Sequence, residues 1–150
     1  MSLNIATIRT ALKTQLATAL NASTQPLNVY DYPPDTPSLN ALLILPAPSE
    51  DGKYIHHHGT FGPNSLCTIG LRLELRVDGG QIDAAKQMDL YLSSGNAESV
   101  TTALEADKTL SGAVADTYGD GWSTPAWFQG ADGVKTWYAA TFDLVLRKNR

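Results

Sequence analysis

Leu66-Cys67-Thr68-Ile69-Gly70-Leu71-Arg72-Leu73-Glu74-Leu75-Arg76-Val77 reads as one strand. Ile69, Leu71, Leu73, Leu75 and Val77 recur at every second position, with Thr68, Gly70, Arg72, Glu74 and Arg76 between them. That alternation sets the aliphatic side chains on one face. The other face carries charge and meets water or a partner. A strand covered on both sides would be apolar throughout, so the pattern points to an antiparallel sheet with one dry face. Val134–Arg147 is the second firm strand. Its core set is Tyr138, Ala140, Phe142, Leu144 and Leu146. Each long strand needs an apolar partner, so the two are expected side by side.

Around this pair the chain alternates helix and strand patterns. Ile5, Ile8, Leu12, Leu16 and Leu20 repeat at helical spacing over 3–21, with Asn4 or Ser2 as cap. Leu27–Tyr32 and Ala41–Leu45 read as short strands broken by prolines. Residues 81–93 form a helix whose inner face is Ile82, Ala85, Met88 and Leu92, flanked by Ala84 and Tyr91. Ser94 or Asn96 can cap a further helix over about 97–107, with Val100, Ala103 and Leu104 inward. Extended structure resumes over Leu110–Tyr118. Gly119–Trp122 and Gln129–Gly133 are turn clusters around Pro125-Ala126-Trp127-Phe128. The order predicts an α+β fold: an antiparallel or mixed β-sheet flanked by α-helices, as a single domain over 1–150.

Residues 46–65 break the pattern. Pro46–Gly52 is a turn-rich start. Lys53-Tyr54-Ile55-His56-His57-His58-Gly59-Thr60-Phe61 follows. A structureless stretch of this length is unusual in a compact domain. Tyr54, Ile55 and Phe61 are residues that a solvated linker avoids, so the segment reads as a long extended arm, or hairpin, that packs on something. Neighbours on an extended chain point to alternate sides, so at most His56 and His58 could share an ion. No Cys, Asp or Glu stands at familiar ligand spacing. A surface or interface loop is expected there rather than a metal site.

Composition excludes several function classes. Of 150 residues, 43% are apolar, and the net charge is −4 with pI near 5.2. A general electrostatic grip on nucleic acid requires clustered Lys and Arg, which are lacking. Cys67, the one cysteine, forms no internal disulfide and reads as a small buried residue at a strand start. No apolar run approaches the ~20 residues of a membrane helix. Residues 1–20 lack a basic start and an unbroken apolar centre, so no signal peptide is visible. A reducing cytoplasm is the expected setting. Gly79-Gly80 fits neither phosphate-binding spacing. No Gly-x-Ser-x-Gly occurs. Asp116, Asp120 and Asp132 do not form a calcium loop. No catalytic set, cofactor site or metal site is legible.

One pattern adds a resemblance. Ala103-Leu104-x-x-Asp107-x-Thr109-Leu110-x-Gly112-x-Val114-x-Asp116 is similar to a segment of the tail-terminator (tail-completion, head-tail joining) proteins of long-tailed bacteriophages. The amphipathic start Ile5–Leu20, the strand Thr68–Val77 running into the helix Gln81–Leu92, and the closing strand Tyr138–Arg147 also resemble that family. The resemblance implies a structural virion protein of the tail or neck, assembled in the host cytoplasm, with no enzymatic activity. It implies a ring of copies of itself, commonly six, that ends tail-tube polymerisation. Its partners would be the tail-tube protein and the head-side connector, and DNA would pass through the lumen without specific binding. The arm at 46–65 is the least matched part. In a ring, a neighbouring subunit is the simplest source of contacts for it, with Tyr54, Ile55 and Phe61 as anchors and His56, His57 and His58 at the rim. The alternatives are a tail-tube or connector subunit, or an enzyme or ligand-binding domain assembled around His56, His58 and Asp120.

Overall fold

In the computed structural model, the described residues are 4–20, 27–59, 66–78, 80–130, 133 and 135–148. The two long strands do pair. β4 (Leu66–Val77) runs antiparallel to β7 (Thr136–Arg147), in register from Thr68 opposite Arg147 to Val77 opposite Tyr138. Leu71, Leu73, Leu75 and Val77 are fully buried, and Ala140, Leu144 and Leu146 nearly so, on one face. Each such aliphatic side chain contributes roughly 1.5–3 kcal/mol on burial. On the other face Arg72 lies opposite Asp143 and holds it with two hydrogen bonds, 2.6 Å from Nε and 3.1 Å from Nη2. Alternation thus sorts apolar from charged side chains as the sequence predicts.

Each long strand carries two shorter strands in line along its outer edge. β2 (Ala41–Ala47) pairs with residues 70–76 of β4, and β3 (Ile55–His58) continues along residues 66–69. Thr68 and Ile69 pair with β3 and with β7 at once, so β3 lies on the same edge as β2. β5 (Asp116–Trp122) and then β6 (Ala126–Gln129) line the outer edge of β7 in the same way. β1 (Asn28–Tyr30) adds one parallel pairing, to β2. The result is a mixed seven-stranded sheet.

Helices α1 (Ile5–Leu20), α2 (Gln81–Leu92) and α3 (Val100–Glu105) share one hydrophobic core with the dry face of the sheet. Ile8, Leu12, Leu16 and Leu20 form the buried stripe of α1. Asn4 Oδ1 accepts the Thr7 N–H at 3.0 Å, satisfying one of the free donors at the helix start. Arg9, on the same helix, is also buried. Its guanidinium donates to the carbonyls of Asp31 (2.6 Å) and Ile44 (2.8 Å) and lies over the Tyr32 ring, which ties α1 to the strands beneath.

Several expectations are corrected. The buried face of α2 is Ala84, Met88 and Tyr91, whereas Ile82 is 71% exposed. Burying a tyrosine ring stabilises more than burying an isoleucine, and its hydroxyl finds a partner in Asn40 Nδ2 at 3.3 Å. α3 starts at Val100 and is capped by Ser99, whose Oγ accepts the Thr102 N–H. Neither Ser94 nor Asn96 caps it. Leu110 does not resume extended structure. Leu110, Ser111 and Gly112 all have positive φ, and the strand begins at Asp116. The Asp107 carboxylate accepts hydrogen bonds from Thr109 and from the Ser111 N–H and so holds this turn. Gly119–Trp122 is not a free turn but belongs to β5, with an irregular register between Gly119 and Trp122, because the edge of β7 is there to pair with.

Candidate functional site

The charged face of the sheet is built up at one end by the interruption between β2 and β3. Ala47 pairs opposite Gly70, and the Gly70 N–H then donates to the Tyr54 carbonyl at 2.9 Å. Residues 48–53 are therefore looped out. They close into a small hairpin, with the Ser49 N–H donating to the Lys53 carbonyl (2.6 Å) and the Lys53 N–H to the Glu50 carbonyl (3.0 Å). Asp51 and Gly52 both have positive φ, at 54° and 71°, the backbone of a primed two-residue turn. A Cβ at Gly70 would lie 2.6 Å from the Pro48 carbonyl carbon, so only glycine lets the chain cross β4 there.

This hairpin brings carboxylates to the histidines. His58 Nε2 lies 3.3 Å from Glu50 Oε2, and His56 Nδ1 lies 3.5 Å from Asp51 Oδ2. The two imidazoles stack with centroids 4.4 Å apart, as their shared side of β3 requires. The Tyr118 hydroxyl, across the sheet on β5, donates to Glu50 Oε1 at 3.5 Å. Thr68 donates to Ser49 at 3.4 Å. A cleft of about 600 Å³ opens beside the cluster, lined by Glu50, His58, Cys67, Thr68, Arg147 and Lys148 among others.

The expected interface residues divide three ways. Tyr54 and Ile55 are partly buried against the core of the same chain. His56 and His58 face the carboxylates of the hairpin, while His57 is paired opposite the buried Cys67. Phe61 lies outside the described residues. As far as residue 58, the segment draws contacts from its own chain because β4 extends beyond Gly70 and offers it an edge. A neighbouring subunit was the expected simplest source of such contacts; for Tyr54 and Ile55 the chain's own core supplies some of them. Carboxylates stand beside two of the histidines although none is at familiar ligand spacing in the sequence. The Asp51-Gly52 pair is the signal that could have found them, since it marks a hairpin that folds Glu50 and Asp51 back toward the histidines.

The cluster can orient imidazoles beside carboxylates. Burial raises the Cys67 thiol above its ordinary range, an effect that Lys148 only partly offsets, so it is a poor nucleophile. Among the described residues, no three His, Cys, Asp or Glu side chains converge to hold a metal ion. Asp120 lines a separate cleft with Trp122, Ser123, Thr141 and Asp143.

Sequence reasoning assigned no role to β6. All four of its residues are exposed, with Trp127 at 43% and Phe128 at 51%. Trp127 leans on Tyr138 at 5.1 Å, and Phe128 is paired opposite Trp137, which lies under the Arg76 guanidinium. Two adjacent large aromatics between turn clusters were the available signal. The chain matches no protein-family profile and no curated protein.

Proposed function

We propose that this chain is a structural subunit of a long-tailed phage neck, forming a ring that ends tail-tube polymerisation and joins the tail to the head-side connector. The observation that carries the reading is the segment 103–116, whose pattern resembles that family. Its residues act as one structural unit. Ala103, Leu104, Leu110 and Val114 are buried, Asp107 holds the turn, Gly112 adopts φ 87°, and Asp116 opens β5. A pattern in which every fixed position serves the fold suits a scaffold rather than a reaction centre. The charge on the open face of the sheet also fits. Arg72 is paired with Asp143 and Arg76 with Glu74 at 2.7 Å, so these two cations are not free to hold a phosphate backbone.

The test is to purify the full chain, image it, and add it to polymerising tail tubes. Closed rings and tubes of uniform length are expected. Tubes of unlimited length in its presence would overturn the reading. So would tight duplex-DNA binding with a steep salt slope.

A further inference from the structure

Glu50 reaches both edge lines of the sheet. Its Oε2 lies 3.3 Å from His58 Nε2 on β3, and its Oε1 accepts the Tyr118 hydroxyl of β5 at 3.5 Å. Asp51, beside it at the hairpin tip, lies 3.5 Å from His56 Nδ1. That nitrogen is buried and has no hydrogen-bond partner among the described residues. The stem of the hairpin is closed by the Ser49 N–H on the Lys53 carbonyl and the Lys53 N–H on the Glu50 carbonyl. The Asp51 side chain is 76% exposed, and Gly52 and Lys53 are exposed as well. An exposed element held by so few bonds opens locally at little free-energy cost.

We infer that hairpin 48–53 is a pH-sensitive clasp: it grips β3 when His56 and His58 carry charge and loosens when they are neutral. Histidine changes charge between about pH 8 and pH 5, a window above the ordinary carboxylate range. In the charged form each imidazolium has its own carboxylate, at 3.3 and 3.5 Å. The two stacked rings repel each other, but their centroids are 4.4 Å apart. Two shorter attractions outweigh one longer repulsion. Repulsion between Glu50 and Asp51 is the same in both forms and cancels. On β4, Thr68 faces His56, while His57 and Cys67 turn to the other face of the sheet. Arg147, opposite Thr68, and Lys148, whose N–H donates to the Cys67 carbonyl, stand two strand spacings from β3, about 10 Å of backbone. These two cations and Lys53 oppose the added charge, and Asp116, opposite Arg147 on β5, favours it. At about 10 Å such effects are largely screened by salt, so the direct pairs decide the sign. The clasp is tight near pH 5 and loses that hold as pH rises towards 8. Glu50 and His58 also line the cleft of about 600 Å³, so the clasp sets one wall of it. The device belongs to the hairpin and does not rest on the ring reading.

The experiment follows the Ser49 and Lys53 amide protons of the full chain by solvent-exchange NMR between about pH 5 and pH 8. Each rate is divided by that of an unstructured peptide of the same sequence at the same pH. Protection should be roughly 3–10-fold higher at the acid end, as two partly exposed ion pairs would give. Glu50→Gln/Asp51→Asn keeps the shape of both side chains and places Asn-Gly at the turn, so the hairpin still forms. Its protection should no longer change with pH. His56→Gln/His58→Gln should be equally flat. A second measurement needs no variant: raising salt from about 0.05 to about 0.5 M should lower protection of the wild type at the acid end and leave it unchanged at the alkaline end. Wild-type protection that is flat or falls on acidification would overturn the inference. So would a rise that persists in either double variant, or a salt effect that is equal at both ends.

Discussion

The two edge lines of the sheet share a plan and differ in what they do with it. In each, a twelve-residue strand is flanked by two short strands in line, both antiparallel to it. Along β4, the interruption 48–53 folds back over the sheet, sets Glu50 and Asp51 on His58 and His56, and leaves Tyr54 and Ile55 against the core. Along β7, the interruption is only 123–125, and the strand beyond it, β6, buries none of its side chains. A long interruption lets a line close on its own chain. A short one carries the line outward and leaves its aromatics for something else.

The floor common to both lines should show the largest effect. Leu73→Ala removes a fully buried side chain from the centre of β4 and should cost roughly 2–5 kcal/mol in denaturant unfolding. A loss below about 0.5 kcal/mol would mean that the central pair does not carry the fold. The next test compares two glycines at which the lines approach the floor. A Cβ at Gly70 would meet backbone, with Pro48 O at 2.7 Å. A Cβ at Gly119 would meet the Phe142 ring edge as well as Asp143 O at 2.8 Å. Overpacking costs about 1–3 kcal/mol. Gly70→Ala, whose three nearest contacts are all backbone, should lie at or above the top of that range, and Gly119→Ala within it, since the Phe142 ring can swing aside and only the Asp143 carbonyl is fixed. The reverse order would break the comparison.

A smaller effect is expected from Gly52→Ala. It has open space around it but φ of 71°, so the cost is the left-handed backbone alone, about 1 kcal/mol. A neutral result would mean that the hairpin is not fixed in its primed turn. The smallest effect sharpens the β5 side. The Thr109 hydroxyl, then the Ser111 and Thr109 N–H groups, hold the Asp107 carboxyl below its ordinary range. A depressed folded-state value contributes stability above the unfolded value, about 3.9, and loses it as pH falls through the folded value. The Tm gap between wild type and Asp107→Ala should therefore narrow from about pH 5 to pH 3. A constant gap would refute that role for Asp107.

Much of the fold is legible in the chain. The alternation at 69–77 and 138–146 dictates two strands, their dry faces and their pairing, because period two permits one burial pattern for each. The stripe Ile8, Leu12, Leu16, Leu20 likewise dictates the packing of α1. The elements misread are those in which two local readings compete. Residues 82–92 support two apolar stripes sharing Met88. Gly119–Trp122 is turn chemistry in isolation and becomes strand only because β7 offers an edge. The candidate cluster was half visible: His56 and His58 on one side of a strand followed from spacing, but their carboxylates did not.

By itself, the sequence determined the sheet's central pair, its helical cover and the side of each strand that stays dry, since these follow from local period and burial. Only the tertiary structure decided where the irregular segments lie. Those segments have no period to read. Their placement depends on which strand edge is free: the outer edge of β4 for His56–His58, and the outer edge of β7 for Trp127 and Phe128. Such an edge exists only once residues far apart in the chain have paired.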